Sequence, residues 1–271
     1  MTLSQKRARF RALHKSGCFV LPNPWDMGSA RLLQHLGFQA LASTSSGHAW
    51  TMGKADYAPA RDDVLAHLAQ LCAATDLPVN ADFLSGFADA PEDLAVNVAH
   101  AMATGVAGLS IEDTRVEGAG LHDKAFAVAR IRAARAAIDA SGEDVALVAR
   151  AEILLHDATR VSEAIDKLVA FADAGADCLY APGLTKREDI IATVKAVAPR
   201  PVNILMWGGG HTVQDLADMG VRRISVGGAL ARVAWGAMLN AAEEIKAGSF
   251  AGLDTGVPGK TMNGIFGGMA G

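Results

Sequence analysis

The chain has 271 residues, of which 51% are hydrophobic, and its formal net charge is −4. This composition can supply a large core, and without a basic stripe or a block of like charges the chain is a poor match for nucleic acid or anionic membrane surfaces. No apolar stretch approaches the roughly 18 residues that a membrane-spanning helix needs, and the polar N-terminal segment Met1–Arg7 is not typical of a secretory signal.

Short apolar runs alternate eight times with longer stretches of helical period. In chain order, the predicted strands are Cys18–Leu21, Ala40–Thr44, Val79–Asp82, Gly108–Glu112, Ala146–Ala151, Cys178–Ala181, Val202–Leu205 and Arg223–Val226. The stretches between them predict helices that include Arg61–Ala74, Asp93–Ala103, Lys124–Ser141, Thr159–Ala174 and Glu188–Ala198. The predicted strands are apolar throughout, which is typical of a parallel sheet that is buried on both faces.

Eight strand–helix units in about 250 residues are typical of a (β/α)8 TIM barrel. A doubly wound sheet is the competing architecture, but it usually has fewer units. We therefore predict one domain over residues 1–271, with the barrel at about 18–247. Residues 248–271 are predicted to form a C-terminal extension that packs on another subunit.

The three cysteines, Cys18, Cys72 and Cys178, lie far apart and form no CxxC pair. Their odd number and spacing argue against a disulfide framework or a structural zinc site. A reducing, cytoplasmic environment is therefore expected.

Polar side chains follow several of the predicted strands, at the end where barrel enzymes carry their catalytic groups. In chain order they are the segment Thr44–His48, Asp82, Glu112, Asp113, Arg150, Glu152, Tyr180 and Asn203. A strand that reaches solvent must end in polar residues, but this concentration of carboxylates and one guanidinium favours a catalytic face.

Three carboxylates, Asp82, Glu112 and Asp56, are hard oxygen ligands suited to Mg²⁺ or Mn²⁺. Such an ion would bind the carboxylate and keto oxygens of a 2-oxo acid and stabilise an enolate. The planar fork of Arg150 suits a carboxylate or a developing oxyanion. A buried salt bridge from Arg150 to Glu152 or Glu112 is the structural alternative.

Several motifs occur in a specific order and spacing. They include Pro22-Asn-Pro-Trp-Asp26, Ser45-Ser-Gly47, Pro78-Val-Asn-Ala-Asp82, Gly108-Leu-Ser-Ile-Glu-Asp113, Val148-Ala-Arg150 and Gly220-Val-Arg-Arg-Ile-Ser-Val-Gly227. From about Leu21 to Phe250 the chain resembles the isocitrate lyase/phosphoenolpyruvate mutase family, in its phosphonomutase-like, 2-oxo acid lyase/decarboxylase branch.

The resemblance implies a role for each matching residue. Asp82 matches the direct metal ligand, and Asp56 and Glu112 match the carboxylates that hold the water ligands of the metal. Candidate substrate-binding residues are Ser45, Ser46, Gly47, His48, Arg150 and Asn203. The catalytic candidates are Arg150, Glu112 and Ser46.

Three departures from the family pattern bear on the reaction. Leu84 stands where a second carboxylate is usual, so lower metal affinity is expected. The segment Thr114–Leu121 has no cysteine, which disfavours a lyase that uses a thiol as its acid. His48 stands where a small or apolar residue is common, and it is either an acid/base group or a solvated loop histidine.

The resemblance implies a Mg²⁺-dependent lyase or decarboxylase. It would cleave a carbon–carbon bond in a small 2-oxo acid or 2-hydroxy dicarboxylate through an enolpyruvate-type intermediate. Two alternatives stay open: a phosphonate mutase or hydrolase of the same family, and a catalytically silent protein that binds oxo acids. The resemblance also implies a homo-oligomer, a dimer or tetramer, with exchanged C-terminal helices.

Overall fold

The computed structural model describes residues 1–116 and 120–268. Its eight strands are β1 (Phe19–Leu21), β2 (Leu41–Ala42), β3 (Val79–Asp82), β4 (Gly108–Glu112), β5 (Ala146–Arg150), β6 (Cys178–Tyr180), β7 (Val202–Leu205) and β8 (Arg223–Ser225). All pairs are parallel, in the order β1-β8-β7-β6-β5-β4-β3-β2. A hydrogen bond from Ala42 N to Pro22 O joins the two ends of this order at 3.1 Å. The predicted (β/α)8 barrel is confirmed.

Helices surround the strands. They are α1 (Leu3–Leu13), α2 (Met27–His35), α3 (Ser45–Thr51), α4 (Arg61–Ala74), α5 (Pro91–Ala103), α6 (Lys124–Ser141), α7 (Ile153–His156), α8 (Val161–Asp173), α9 (Arg187–Val197), α10 (Val213–Asp218), α11 (Ala229–Lys246) and α12 (Gly259–Gly267), with a 3₁₀ turn at Ala251–Thr255. The bounds of α4 and α6 are those predicted from the sequence. Helix α5 begins two residues earlier than predicted because Pro91 is well suited to a first turn, where its missing N–H is not needed.

The second strand is shorter than the predicted Ala40–Thr44. Thr44 has an extended backbone but is the N-cap of α3, and its side-chain oxygen accepts a hydrogen bond from Gly47 N at 3.3 Å. This cap satisfies one of the free N–H groups at the helix start. The chain therefore turns into a helix directly after the strand, and this turn carries Ser45 and Ser46 to the barrel mouth.

The N-terminal end of the barrel is closed by α1. Phe10 is completely buried there and meets the Phe19 ring edge-on, with 6.5 Å between the ring centroids. A Cβ atom at Gly108 would lie 2.6 Å from the Phe10 ring, so only glycine allows this close approach. Most of the apolar core lies outside this plug, between the strands and the helices.

The C-terminal part leaves an apolar helix surface uncovered. In α11 only Ala231 is buried, while Val233, Met238 and Leu239 are exposed. Helix α12 packs against α2 of the same chain. Exchange of the 248–271 segment between subunits stays a prediction, and its residues 269–271 lie outside the described part. None of the described helices combines the length and apolar character needed to cross a membrane.

Candidate active site

A cavity of about 230 Å³ opens at the C-terminal ends of the strands. It is lined by Asn23, Ala42, Ser43, Thr44, Ser45, Ser46, Asp56, Tyr57, Asn80, Asp82, Ser110, Glu112, Arg150, Glu152, Leu155, Tyr180, Leu205, Trp207, Arg223, Ser225, Gly227 and Gly228. Strands β2 to β8 each contribute residues to this lining, and Asn23 follows the end of β1. The cavity therefore lies where a TIM barrel places its chemistry.

Arg150 is the centre of the charged part of the cavity. Its Nη1 atom lies 2.8 Å from Asp82 Oδ1 and 3.0 Å from Glu112 Oε1, and its Nε atom lies 2.9 Å from Glu152 Oε1. The parallel register places Glu112, Arg150 and Tyr180 side by side on β4, β5 and β6. The guanidinium also lies over the Tyr180 ring, 4.8 Å from its centroid. One cation thus contacts three carboxylates.

Burial strongly affects the protonation of this cluster. It raises the pKa of Glu112 to about 8 and also raises the pKa of Glu152, while Arg150 opposes both shifts. Burial alone would lower the pKa of Arg150, but its carboxylate neighbours raise it well above the ordinary value. Arg150 therefore stays charged, and one guanidinium does not fully compensate the surrounding carboxylates.

Asp82 and Asp56 lie on the side of the cavity formed by α3. Ser45 N donates a hydrogen bond to Asp82 Oδ2 at 3.0 Å. Burial raises the pKa of Asp56, and a hydrogen bond from the Ser45 side chain lowers it. The sequence segment that was predicted to contact substrate thus also holds two of the predicted metal-site carboxylates.

Tyr57 is a cavity residue that sequence reasoning missed. Its hydroxyl donates to Glu112 Oε2 at 3.1 Å, and Thr114 Oγ1 donates to the same oxygen at 3.0 Å. Tyr57 adopts a left-handed backbone with φ of 65°, which is uncommon outside glycine. It lies in a polar loop between α3 and α4, and no periodic signal in the sequence indicates that this loop folds back over the barrel.

The structure brings six of the predicted site residues into the cavity and leaves three outside its lining. The six are Ser45, Ser46, Asp56, Asp82, Glu112 and Arg150. Gly47 packs beneath Trp25, where an added Cβ would lie 2.8 Å from the Trp25 Cβ. His48 stacks on His67 with 3.8 Å between ring centroids. Asn203 is completely buried, and its Nδ2 donates to Ser225 Oγ at 2.9 Å.

Leu84 also lies outside the cavity lining. Its side chain is only 4% exposed, its backbone is left-handed with φ of 52°, and its carbonyl accepts a hydrogen bond from Glu112 N at 2.8 Å. This residue therefore supports the end of β4 through its backbone. Of the predicted departure at Thr114–Leu121, residues 117–119 lie outside the described part of the chain.

A second ion pair, which is almost completely buried, supports the residues at the end of β5. Lys167, on α8, contacts Asp113 Oδ2 and donates to the carbonyl of His122 at 3.1 Å. The other oxygen of Asp113 accepts a hydrogen bond from Glu152 N at 2.9 Å. The Lys167–Asp113 pair therefore fixes the backbone of Glu152, whose carboxylate contacts Arg150. Sequence reasoning missed Lys167, because a lysine in an amphipathic helix is normally solvated.

The wall formed by the ends of β5 and β7 is largely apolar. Leu155 and Leu205 line it together with Trp207, which is 55% exposed at the mouth. A substrate bound near Asp82 and Arg150 would therefore have one polar, charged side and one apolar side.

The carboxylates that line the cavity are candidate ligands for a divalent cation. Among the described residues, no group of three or more His, Cys, Asp or Glu side chains forms a ready metal cage. Four carboxylates, Asp56, Asp82, Glu112 and Glu152, line the cavity with two guanidiniums, Arg150 and Arg223, which gives a formal charge of −2 when all are ionised. This set fits an ion such as Mg²⁺, which is bound through one or two carboxylates and keeps several waters.

The fold and the cavity define a TIM-barrel protein with a carboxylate-rich site at its catalytic face. Residues 10–246 match the model of the phosphoenolpyruvate phosphomutase family. The chain belongs to this family, whose members include lyases and mutases.

Three relatives illustrate the similarity. A crystal structure from Burkholderia cenocepacia J2315, provisionally classed as a lyase/mutase, has a TM-score of 0.93 and 44% identity, with 97% of this chain and 96% of that chain covered. The oxaloacetate decarboxylase of Paraburkholderia xenovorans is 29% identical, with 82% of this chain and 74% of the relative covered. The structure of 2,3-dimethylmalate lyase has a TM-score of 0.85 and 29% identity, with 98% and 95% covered.

Proposed function

We propose that this protein is a Mg²⁺- or Mn²⁺-dependent carbon–carbon lyase or decarboxylase. Its substrate would be a small 2-oxo acid or 2-hydroxy dicarboxylate, cleaved through an enolpyruvate-type intermediate. The observation that carries the proposal is the contact of Arg150 with Asp82, Glu112 and Glu152 inside a cavity of the catalytic face.

The residues would share the work as follows. Asp82 would hold the ion directly, and Asp56 and Glu112 would hold its water ligands. When bound, the ion polarises the keto group of the substrate and neutralises charge that develops on its oxygen. Arg150, whose Nε and Nη2 atoms are held by Glu152, would neutralise the negative charge of the bound substrate. Ser46, at the start of α3, would contact the same end of the substrate.

The relatives support this substrate class. One is an oxaloacetate decarboxylase and another a 2,3-dimethylmalate lyase. Their names indicate a 2-oxo and a 2-hydroxy dicarboxylate, and both reactions break a carbon–carbon bond. The apolar wall of Leu205 and Trp207 is compatible with such chemistry, because it gives the carbon atoms of the substrate an apolar surface to pack against.

Calorimetry with oxalate, which resembles the enolate of pyruvate, tests the proposal. Oxalate is expected to bind wild type only with Mg²⁺ or Mn²⁺. Asp82→Ala should abolish this binding and most turnover of an oxo-acid panel, since metal stabilisation of charge is worth several kcal/mol. Asp62→Ala, at a 79% exposed carboxylate on α4, is the matched control and should behave as wild type. Metal-independent oxalate binding without turnover would instead support a silent binding protein.

The family model itself favours a second candidate, a phosphonate P–C bond mutase or hydrolase. Phosphorus NMR with phosphonopyruvate separates the two functions. A shift of the phosphonate signal to a phosphate ester or free phosphate would favour this second candidate, whereas an unchanged signal alongside oxo-acid cleavage would favour the lyase.

Three further properties belong to the same proposal. We infer that the chain forms one domain, that it acts in the cytoplasm, and that it assembles as a homo-oligomer, a dimer or tetramer. The exposed apolar side chains of α11, among them Val233 and Leu239, support the assembly. Light scattering of the full chain would measure its oligomeric state.

A further inference from the structure

Arg223 is a buried cation in the inner wall of the cavity. It lies on β8, is 2% exposed, and lines the same cavity as Asp82 and Arg150. Its Nη1 donates to Asn80 Oδ1 at 3.3 Å, and its guanidinium lies 5.9 Å from the Phe10 ring centroid. Phe10 belongs to the plug at the other end of the barrel, so among the described residues the open side of Arg223 is the one that lines the cavity.

The charge of Arg223 is poorly compensated. Within residues 1–116 and 120–268, no carboxylate lies within ion-pair distance of it, and its Nε atom has no hydrogen-bond partner. The carbonyl oxygen of the Asn203 side chain, on the neighbouring strand, is also without a partner. Burial lowers the pKa of Arg223. A buried cation of this kind is costly unless something pairs with it.

Other buried arginines of the chain are compensated. Arg7, equally buried, contacts Glu143 and donates to two backbone carbonyls. Arg130 donates to four carbonyl oxygens, including those of Glu112 at 2.8 Å and Ala88 at 2.9 Å. Arg223 differs from both, since it faces a cavity that a small molecule can enter. An anion from solution is therefore the natural partner.

The depth of Arg223 sets the size of that anion. Arg223 contacts Asn80, which precedes Asp82 by two residues on β3. Two strand residues span roughly 6.5 Å, so the guanidinium lies about one barrel layer below the carboxylates at the mouth. A four-carbon dicarboxylate has the length to reach from one layer to the other.

We propose that Arg223 forms an anion subsite at the floor of the cavity and binds the second carboxylate of the substrate. The inference rests on the proposed function and narrows it to dicarboxylates. One end of the substrate would lie with Asp82, Arg150 and Ser46 at the mouth. The other end would pair with Arg223 below. A carboxylate fits better than a phosphonate, because one guanidinium balances one negative charge.

Two fluorinated probes test this proposal on the wild-type protein. Difluorooxaloacetate, substituted at C3, and trifluoropyruvate share the oxo-acid end and differ in the second carboxylate. With Mg²⁺ present, calorimetry should show at least about tenfold tighter binding of the dicarboxylate. Equal affinities would overturn the subsite.

Variants then locate the effect. Arg223→Gln should weaken the binding of difluorooxaloacetate by about 30-fold or more, which is the usual consequence of removing one partner of a buried charge pair. Oxalate, which is too short to reach the floor, should bind within about threefold of wild type. Arg223→Lys keeps the charge but not the fork and should give an intermediate loss. Thermal unfolding verifies that each variant is folded.

The outcomes separate this proposal from the proposed function. Suppose that Arg223→Gln weakens the binding of difluorooxaloacetate and of oxalate equally, or weakens neither. Arg223 is then a core residue that is paired with a buried water, and the subsite is wrong. If oxalate does not bind wild type with metal, the proposed function fails first. In that case malonate should still raise the Tm of wild type but not that of Arg223→Gln. If malonate has the same effect on the Tm of both proteins, the subsite is overturned as well.

Discussion

Lys167→Met is the substitution that most directly tests the support behind the site. Lys167 and Asp113 are both almost completely buried, with side chains 5% and 1% exposed. Methionine keeps much of the aliphatic stem of lysine but leaves Asp113 as a buried charge without its cation. Breaking a buried pair in this way costs about 3–5 kcal/mol of the free energy of unfolding. For a chain of this size, that loss corresponds to a Tm lower by about 6–20 °C.

The measurement is urea unfolding and calorimetry of three proteins beside wild type. Lys124→Met is the matched control, because its partner Asp166 is 62% exposed and Lys124 itself is 49% exposed. This surface pair should be worth less than about 1 kcal/mol. The double variant Lys167→Met with Asp113→Asn removes the unpaired charge, and its amide oxygen can still accept the hydrogen bond from Glu152 N. It should therefore recover a large part of the lost stability.

The same variants report on the site. Asp113 holds the backbone of Glu152, and Glu152 holds Arg150. Lys167→Met is thus expected to weaken Mg²⁺-dependent oxalate binding, whereas Lys124→Met should not. If Lys167→Met is no more destabilising than Lys124→Met, or if the double variant is as unstable as the single one, the buried pair does not stabilise the fold in this way.

Two other perturbations have expected outcomes that follow from burial. The buried imidazole of His67 has its pKa lowered to about 3 by burial and then by His48, so it stays neutral in the folded protein while the unfolded chain gains a proton below about pH 6.5. Acidification from pH 7 to 4.5 should therefore cost wild type about 2–3 kcal/mol more than His67→Gln, measured by urea unfolding across that range; parallel pH profiles would contradict this. Leu84→Glu should lower the free energy of unfolding by at least about 2 kcal/mol, because it places a carboxylate where the side chain is 4% exposed. Its Mg²⁺ affinity, measured by calorimetry, should not rise, and tighter binding would mean that this side chain can enter the cavity.

The strands could be predicted well because each one is buried on both faces. The eight apolar runs appear in the structure with ends that differ from the prediction by at most two residues, as in β2. The turn into α3 was not foreseen, since Ser45–His48 has no helical periodicity and its helix depends on the Thr44 cap. Local hydrogen bonds of this kind decide element ends, and composition alone does not reveal them.

The side chains at strand ends were predicted for a similar reason. In a parallel barrel all carboxyl ends meet at one mouth, so Asp82, Glu112 and Arg150 had to lie near one another. Which of these side chains pair with one another could not be predicted from the sequence. The contact of Arg150 with three carboxylates depends on the register of β4 and β5. Tyr57 and Lys167 could not be found this way, because one lies in a loop and the other on an outer helix.

Arg223 occupies an intermediate position, since a signal for it exists in the sequence. Side chains alternate between the two faces of a strand, and Ile224 packs with the core outside the barrel. Arg223 and Ser225 must therefore point inwards, whereas Arg222 precedes the strand and donates to the carbonyl of Gly17. An arginine that alternation places inside a barrel, with no acidic residue predicted at its own level, indicates either a buried water or an anion. Only the structure shows that Phe10 closes the barrel below Arg223 and that the cavity above Arg223 opens to the mouth. This geometry favours an anion that enters with the substrate.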